Sequence, residues 1–297
     1  MDCEICHGSR WKSVTVDGVE RLTRCDCWRG AFVEQLLANA GVPPKFKRAE
    51  LATFEHDMDT QRRAYAKALR FVEAFPAVDR GLLLYGNPGV GKTHLAIGIL
   101  KEVIRSKGAR GYFFETMKLL TQIRDTYNRT VEETELGVLT PALDADLLVL
   151  DDLGAGPNDY SPWAKEMLGL VVNTRYNAHK PTIFTTNLKD TPESVDRNTL
   201  IYQLGARTRS RLLEMCDLIE IQGADVREVG EHATAEDIAR WKKDSPASPE
   251  NIAKSQQKSQ ALGGLLPSKT KGQVRAKLKD SGLQYELNWS GGKAGSK

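Results

Sequence analysis

No stretch of this 297-residue chain approaches the roughly 18 consecutive apolar residues that a membrane-crossing helix needs. The opening residues, Met1 to Cys6, lack the basic and apolar regions of a secretory signal, so the expectation is a cytoplasmic protein with no membrane partner. Cysteine is scarce. There are five, of which Cys3, Cys6, Cys25 and Cys27 crowd the amino terminus and Cys216 stands alone. In a reducing compartment that distribution argues against a disulfide framework. No internal repeat is present, and excess charge is lacking too, at a net +3 overall. That small balance is unevenly spread: residues 241–297 hold 11 Lys/Arg against 4 Asp/Glu, so the whole positive balance sits at the carboxyl-terminal end. The 40% hydrophobic content suits one sizeable core with appendages.

The most informative stretch that is there is Gly86-Asn87-Pro88-Gly89-Val90-Gly91-Lys92-Thr93, a complete phosphate-loop motif, with His94 directly after it. A short apolar run, Gly81 to Tyr85, precedes it as a buried strand would. Beyond it, Leu95, Ile97, Ile99, Leu100, Val103 and Ile104 predict a helix over 94–106. The glycines let successive N–H groups turn toward one anion, and the helix start adds partial positive charge. Lys92 is then placed for the outer phosphates and the Thr93 hydroxyl for Mg²⁺.

Hydrolysis needs further groups, and they come in order along the chain. Leu147 to Leu150 reads as a buried strand ending in Asp151-Asp152. Asp151 is the candidate to hold Mg²⁺ and Asp152 the candidate to polarise the attacking water. Thr182 to Thr186 is a β-branched strand closed by Asn187, an amide suited to orienting that water. Arg207 and Arg211 stand four apart and share a helix face, as groups able to stabilise phosphoryl-transfer charge or as a solvated basic face. Arg227, after a strand over 218–222, is a further candidate to reach the nucleotide.

The cysteine cluster is the second strong feature. Cys3-x-x-Cys6 and Cys25-x-Cys27 flank two predicted strands, 11–16 and 19–24, around a tight Asp17-Gly18 turn. A hairpin brings the pairs together, and four thiolates form a closed tetrahedral site suited to structural Zn²⁺. Free thiols or a redox pair are the competing reading, and His7 is an alternative ligand. A helix is expected over 28–40 with Phe32, Leu36 and Leu37 on one side, ended by Gly41 and Pro43-Pro44. The module over 1–40 serves either to dock a partner or to cap the core.

Residues 116–144 predict two helices. Lys118, Arg124 and Arg129 with Tyr127 offer phosphate-binding charge and a stacking ring, though a packed helix with a solvated face fits the same pattern. The expected architecture is an α/β parallel sheet with helices on both faces, strands at Leu82, Gly111, Leu147, Thr182 and Leu218, and little or no helical lid. The core spans 41–230. A basic, flexible tail over 231–297, with a short helix at 273–278 and Trp289 near its end, either solubilises the chain or attracts nucleic acid.

From about Leu36 to Glu228 these features resemble AAA+ ATPases of the DnaC-type replicative helicase loaders and their IstB-type relatives. Ala40 to Phe46 is similar to the segment before the family's core, Leu82 to Thr93 to its Walker A, and Leu147 to Gly154 to its Walker B. Asn173 to Tyr176 through Asn187 is similar to the helix and strand leading to sensor 1. Arg207 to Leu212 resembles the arginine-finger box, making Arg211 the finger, and Arg227 falls at sensor 2. The resemblance places a channel-lining insertion at 116–144. It implies ATP hydrolysis, self-association into a ring or spiral in the ATP state, and loading of a DnaB-like hexameric helicase onto single-stranded DNA. The alternatives are a helper of DNA transposition and a nucleotide-switched adaptor with little turnover.

Overall fold

The computed structural model describes residues 3–7, 9, 11–16, 19–128, 133–156, 159–191, 196–223 and 225. The expected tail, Trp289, Arg129, Arg227, the Asp17-Gly18 turn and the question of a lid therefore lie outside the described residues. The chain opens with an antiparallel hairpin, β1 (Trp11–Val16) and β2 (Val19–Arg24), paired along its whole length from Trp11 opposite Arg24 to Val16 opposite Val19. Helix α1 (Asp26–Asn39) comes directly after, two residues earlier than the apolar pattern suggests. Its face toward the core is Val33, Leu36 and Leu37 rather than Phe32, which is 37% exposed. Spacing explains the change. Residues 33, 36, 37 and 40 follow the i, i+3, i+4, i+7 stripe, and Ala40 at its end is fully buried.

Two short 3₁₀ turns, Pro44–Phe46 and Leu51–Thr53, lead to α2 (Asp59–Ala74). The core then alternates: β3 (Gly81–Tyr85), α3 (Lys92–Lys107), β4 (Gly111–Glu115), α4 (Thr116–Asp125), α5 (Glu135–Asp144), β5 (Leu147–Leu153), α6 (Pro162–Asn177), β6 (Thr182–Thr186), α7 (Leu200–Leu204), α8 (Ala206–Met215) and β7 (Cys216–Glu220). All five predicted core strands are present. They form one parallel sheet in the order β4-β5-β6-β3-β7. The phosphate-loop strand β3 and the acidic strand β5 are not neighbours, because β6 lies between them.

Both faces of this sheet are covered, so its strands are almost continuously apolar. Leu82, Leu84, Val149 and Ile183 face a core shared with α1, α2 and α3. Leu83, Leu148, Leu150 and Phe184 face a second core shared with α4 to α8. Helices α4 and α5 are the crossover from β4 to β5. They bury Leu119, Leu120, Ile123, Val138, Leu139 and Ala142 on the second core and leave Lys118 and Arg124 exposed. The two helices expected over 116–144 are therefore present, and they pack on the sheet. Among the described residues no helix is long and apolar enough to cross a membrane.

Candidate functional site

The carboxyl ends of β3, β5 and β6 bring together residues far apart in the chain, as open parallel sheets do at their ligand-binding edge. The loop after β3 enters α3 at Lys92, with Gly91 in the left-handed region at φ 96. Its glycines are required by close approach as well as by conformation. A Cβ on Gly86 would stand 2.0 Å from the Ile221 carbonyl oxygen, and one on Gly89 1.6 Å from Asp225 Oδ1. A carboxylate thus rests against a loop whose N–H groups are built to receive anions.

Lys92 is buried. Its Nζ donates to Gly86 O at 2.9 Å, Asn87 O at 2.7 Å and Asn187 Oδ1 at 2.7 Å. Asn187 in turn donates from Nδ2 to Asp152 Oδ1 at 3.2 Å. Thr93 Oγ1 donates to Asp151 Oδ1 at 2.8 Å. The candidates Lys92, Thr93, Asp151, Asp152 and Asn187 therefore lie together at this edge, joined by direct contacts. Burial pushes the Asp151 carboxyl above its usual range, opposed by the hydroxyls of Thr185 and Thr93 and reinforced by the neighbouring Asp152 charge. A divalent cation at this position would favour the ionised form and oppose that upward shift, and a hydroxyl beside a buried carboxylate fits such an ion.

Other candidates lie at the periphery. The His94 ring turns to the preceding segment, with Nε2 2.9 Å from Glu50 O and 3.1 Å from Thr53 Oγ1. Arg207 is exposed on α8. Arg211, half-buried between α8 and α6, lies 5.9 Å from the Tyr176 ring centre, and its buried Nη1 has no hydrogen-bond partner among the described residues. Tyr127 is 54% exposed and edge-on to Trp163, whose Nε1 donates to its hydroxyl at 3.3 Å. Two residues were not singled out from the sequence. Thr185 bonds the Asp151 carboxylate, and Arg209 pairs with Asp190 at 2.6 Å, tying α8 to the loop beyond Asn187. A lone threonine in a β-branched strand carries no signal that separates it from its neighbours.

The four amino-terminal cysteines place their sulfurs within 4.8 Å of one another, with Cys3 3.7 Å from Cys25 and Cys6 3.3 Å from Cys27. Tetrahedral Zn–S bonds of about 2.3 Å demand sulfurs at about this spacing. His7 is exposed and outside the cluster. Cys25 caps α1 and Cys27 sits in its first turn, so the positive helix end faces the thiols. Contact with Cys6, with some burial and the other two thiols, pushes Cys27 up to about 12, a crowding that a bound cation would reverse. The donor set fits Zn²⁺. Cys216 is buried in the sheet and takes no part.

Sheet order and site geometry define a phosphate-loop nucleotide-binding protein with the AAA+ fold. The family model for IstB-like ATP binding proteins matches residues 27–232, and the chain belongs to that family. It is 25% identical over 202 residues to the uncharacterised protein YqaM of Bacillus subtilis (strain 168), covering 65% of this chain and 60% of that protein. It is 25% identical over 159 residues to the replicative helicase loader DnaC of Escherichia coli (strain K12), covering 54% of this chain and 63% of DnaC. The chain thus spans about six-tenths of the length of these curated relatives. A crystal structure of the DnaC helicase loader superposes with a TM-score of 0.53 at 34% identity, over 61% of this chain and 100% of that one. AMPPCP-bound DnaA from Aquifex aeolicus gives 0.51 at 20% identity, over 74% and 68% of the two chains, a likeness of fold alone.

Proposed function

We propose that this protein hydrolyses ATP to load a hexameric replicative helicase onto single-stranded DNA. The clustering of Lys92, Thr93, Asp151, Asp152 and Asn187 carries the ATPase half of this reading. Similarity to DnaC helicase loaders supports the other half. Lys92 exchanges the Gly86 and Asn87 carbonyls for the outer phosphates, and the loop glycines Gly86, Gly89 and Gly91 line their approach. Thr93 and Asp151 hold Mg²⁺, which shields phosphate charge when bound. Asp152 accepts a hydrogen bond from the attacking water, and Asn187 orients it beside the terminal phosphate. Arg211 leaves Tyr176 to act on a neighbouring subunit's nucleotide in a ring or spiral, with Arg207 and Arg227 as accessory cations. The cysteine module, holding one Zn²⁺, docks the helicase. Lys118, Arg124, Tyr127 and Arg129 contact the DNA strand.

The test uses full-length protein, a DnaB-type helicase hexamer and labelled DNA. Helicase capture, with single-strand affinity that rises in ATP and falls steeply with salt, is expected. Arg124→Ala with Tyr127→Ala should weaken DNA binding by roughly 1–3 kcal/mol. Arg211→Ala should keep ATP binding and lose about 10³-fold in assembly-stimulated turnover. Preference for duplex DNA in ATP would instead favour a transposition helper, in keeping with the IstB family membership. Indifference of both partners to ATP would leave a passive adaptor.

A further inference from the structure

The ladder between β5 and β6 is irregular at one place only. Leu150 pairs with Phe184 and Leu153 with Thr186, so Asp151 and Asp152 on β5 face the single residue Thr185 on β6. Within this bulge Asp152 adopts φ 57, the left-handed region that a residue with a Cβ seldom enters. A bulge re-aims side chains that would otherwise point to opposite faces, and it interrupts backbone pairing. Here the interruption is filled by a side chain. Thr185 Oγ1 accepts the Asp152 N–H at 2.8 Å and donates its proton to Asp151 Oδ1 at 2.6 Å. A hydroxyl has one proton. With a lone pair engaged by the Asp152 N–H, that proton is committed to the carboxylate.

Thr93 also donates to Asp151 Oδ1, at 2.8 Å, but the two hydroxyls differ in setting. Thr93 belongs to the phosphate loop and is half-buried, whereas Thr185 is 1% exposed in the middle of the sheet. If Thr93 turns to a cation, Asp151 keeps its orientation only if another group holds it. We propose that Thr185 is a positioning residue for ATP hydrolysis, its hydroxyl fixing the bulge so that the Asp151 carboxylate and the Asp152 side chain stay aimed at the nucleotide's metal and water. This rests on the ATPase reading above.

The experiment compares full-length wild type with Thr185→Val, close in shape but without the hydroxyl, and Thr185→Ser, which retains it. ATP affinity is measured by calorimetry in Mg²⁺ and in chelator, turnover is measured separately, and circular dichroism and melting check the fold. Thr185→Val should lose about ten- to hundredfold in kcat and most of the affinity that Mg²⁺ adds, with chelator-state affinity nearly unchanged. Thr185→Ser should remain close to wild type in both. Should the valine variant fail to fold, Thr185→Ala carries the same expectation without branched bulk. A folded valine or alanine variant with wild-type turnover and Mg²⁺ response would overturn the proposal. So would a serine variant as impaired as valine, since packing and not the hydroxyl would then be responsible. Wild-type protein that binds Mg²⁺-ATP normally yet never turns it over would overturn the ATPase reading, while the binding comparison would still judge whether Thr185 orients Asp151.

Discussion

At the carboxyl ends of the central strands, Lys92, Asp151 and Asp152 are held chiefly by other side chains and by the carbonyls of a glycine loop. At the amino ends, Arg175 of α6 is fully buried and held differently. Its guanidinium donates to the carbonyls of Ala142, Leu143, Ala145 and Pro181 and to Thr182 Oγ1, at 2.6 to 3.2 Å. Burial lowers its pKa to about 10, so it remains charged at neutral pH. The backbone acceptors around it belong to the end of α5 and the entry to β6 and cannot move without unpacking the fold. Lys92 can trade its loop carbonyls for phosphate oxygens, because the loop sits at the solvent edge. The same sheet thus carries a fixed ion at one end, where charge joins elements together, and exchangeable ions at the other, where charge meets a ligand.

Arg175→Met should show the largest effect. It removes the guanidinium from four carbonyls; Leu143 O keeps Lys180 Nζ and Pro181 O keeps the Leu148 N–H, so the cost falls on Ala142 O and Ala145 O, about 1–3 kcal/mol each if water does not enter. The expected loss of folding stability is about 4 kcal/mol or more, read by urea unfolding. A loss under about 1 kcal/mol would show that this end is as exchangeable as the other. Lys92→Ala should do the reverse. ATP affinity falls by about 1.5–3 kcal/mol for each charge-assisted phosphate contact removed, while urea unfolding shifts far less than for Arg175→Met. Unchanged affinity in a folded Lys92→Ala protein would break the comparison from its other side.

Smaller still is the expected effect of Asp225→Asn. Asp225 rests against Gly89, so its negative charge would oppose a phosphate entering the loop. Neutralising it should tighten ATP binding by up to about 1 kcal/mol at low salt, and by less as salt screens the repulsion. Weaker binding in the asparagine variant would mean that the carboxylate assists the nucleotide. The smallest expected effect concerns Glu50, which Arg105 and Lys101 hold and whose carboxyl Arg105 draws below its usual range. Its contribution to stability is full above the unfolded carboxyl's pKa and is lost as pH falls through the lower folded value. Glu50→Gln should therefore flatten the acid limb of the stability profile and cost under about 1 kcal/mol at pH 7. An acid limb as steep as that of the wild type would assign the pH dependence to other carboxylates.

Local pattern alone identified the five strands, the phosphate loop, the hairpin and the residues at the strand ends, because apolar periodicity and turn chemistry act over neighbouring residues. It also placed the four cysteines as a set, since a tight hairpin between two pairs leaves them nowhere else to go. It set the start of α1 two residues late and chose Phe32 over Val33, because helix phase depends on which neighbour the helix meets. Arg175 reads in sequence as part of a helix leading to the β6 strand, with nothing to mark it as a fully buried cation. Thr185 reads as one β-former among several. Strand order decided both. Placing β6 between β3 and β5 set Asn187 between Lys92 and Asp152, brought Thr185 opposite the bulge, and laid α6 over the amino ends so that Arg175 met carbonyls from two other segments. The chemical groups were written along the chain, but the partners of each were fixed only when the sheet closed, because those hydrogen bonds join residues 6 to 95 positions apart through contacts that no local periodicity encodes.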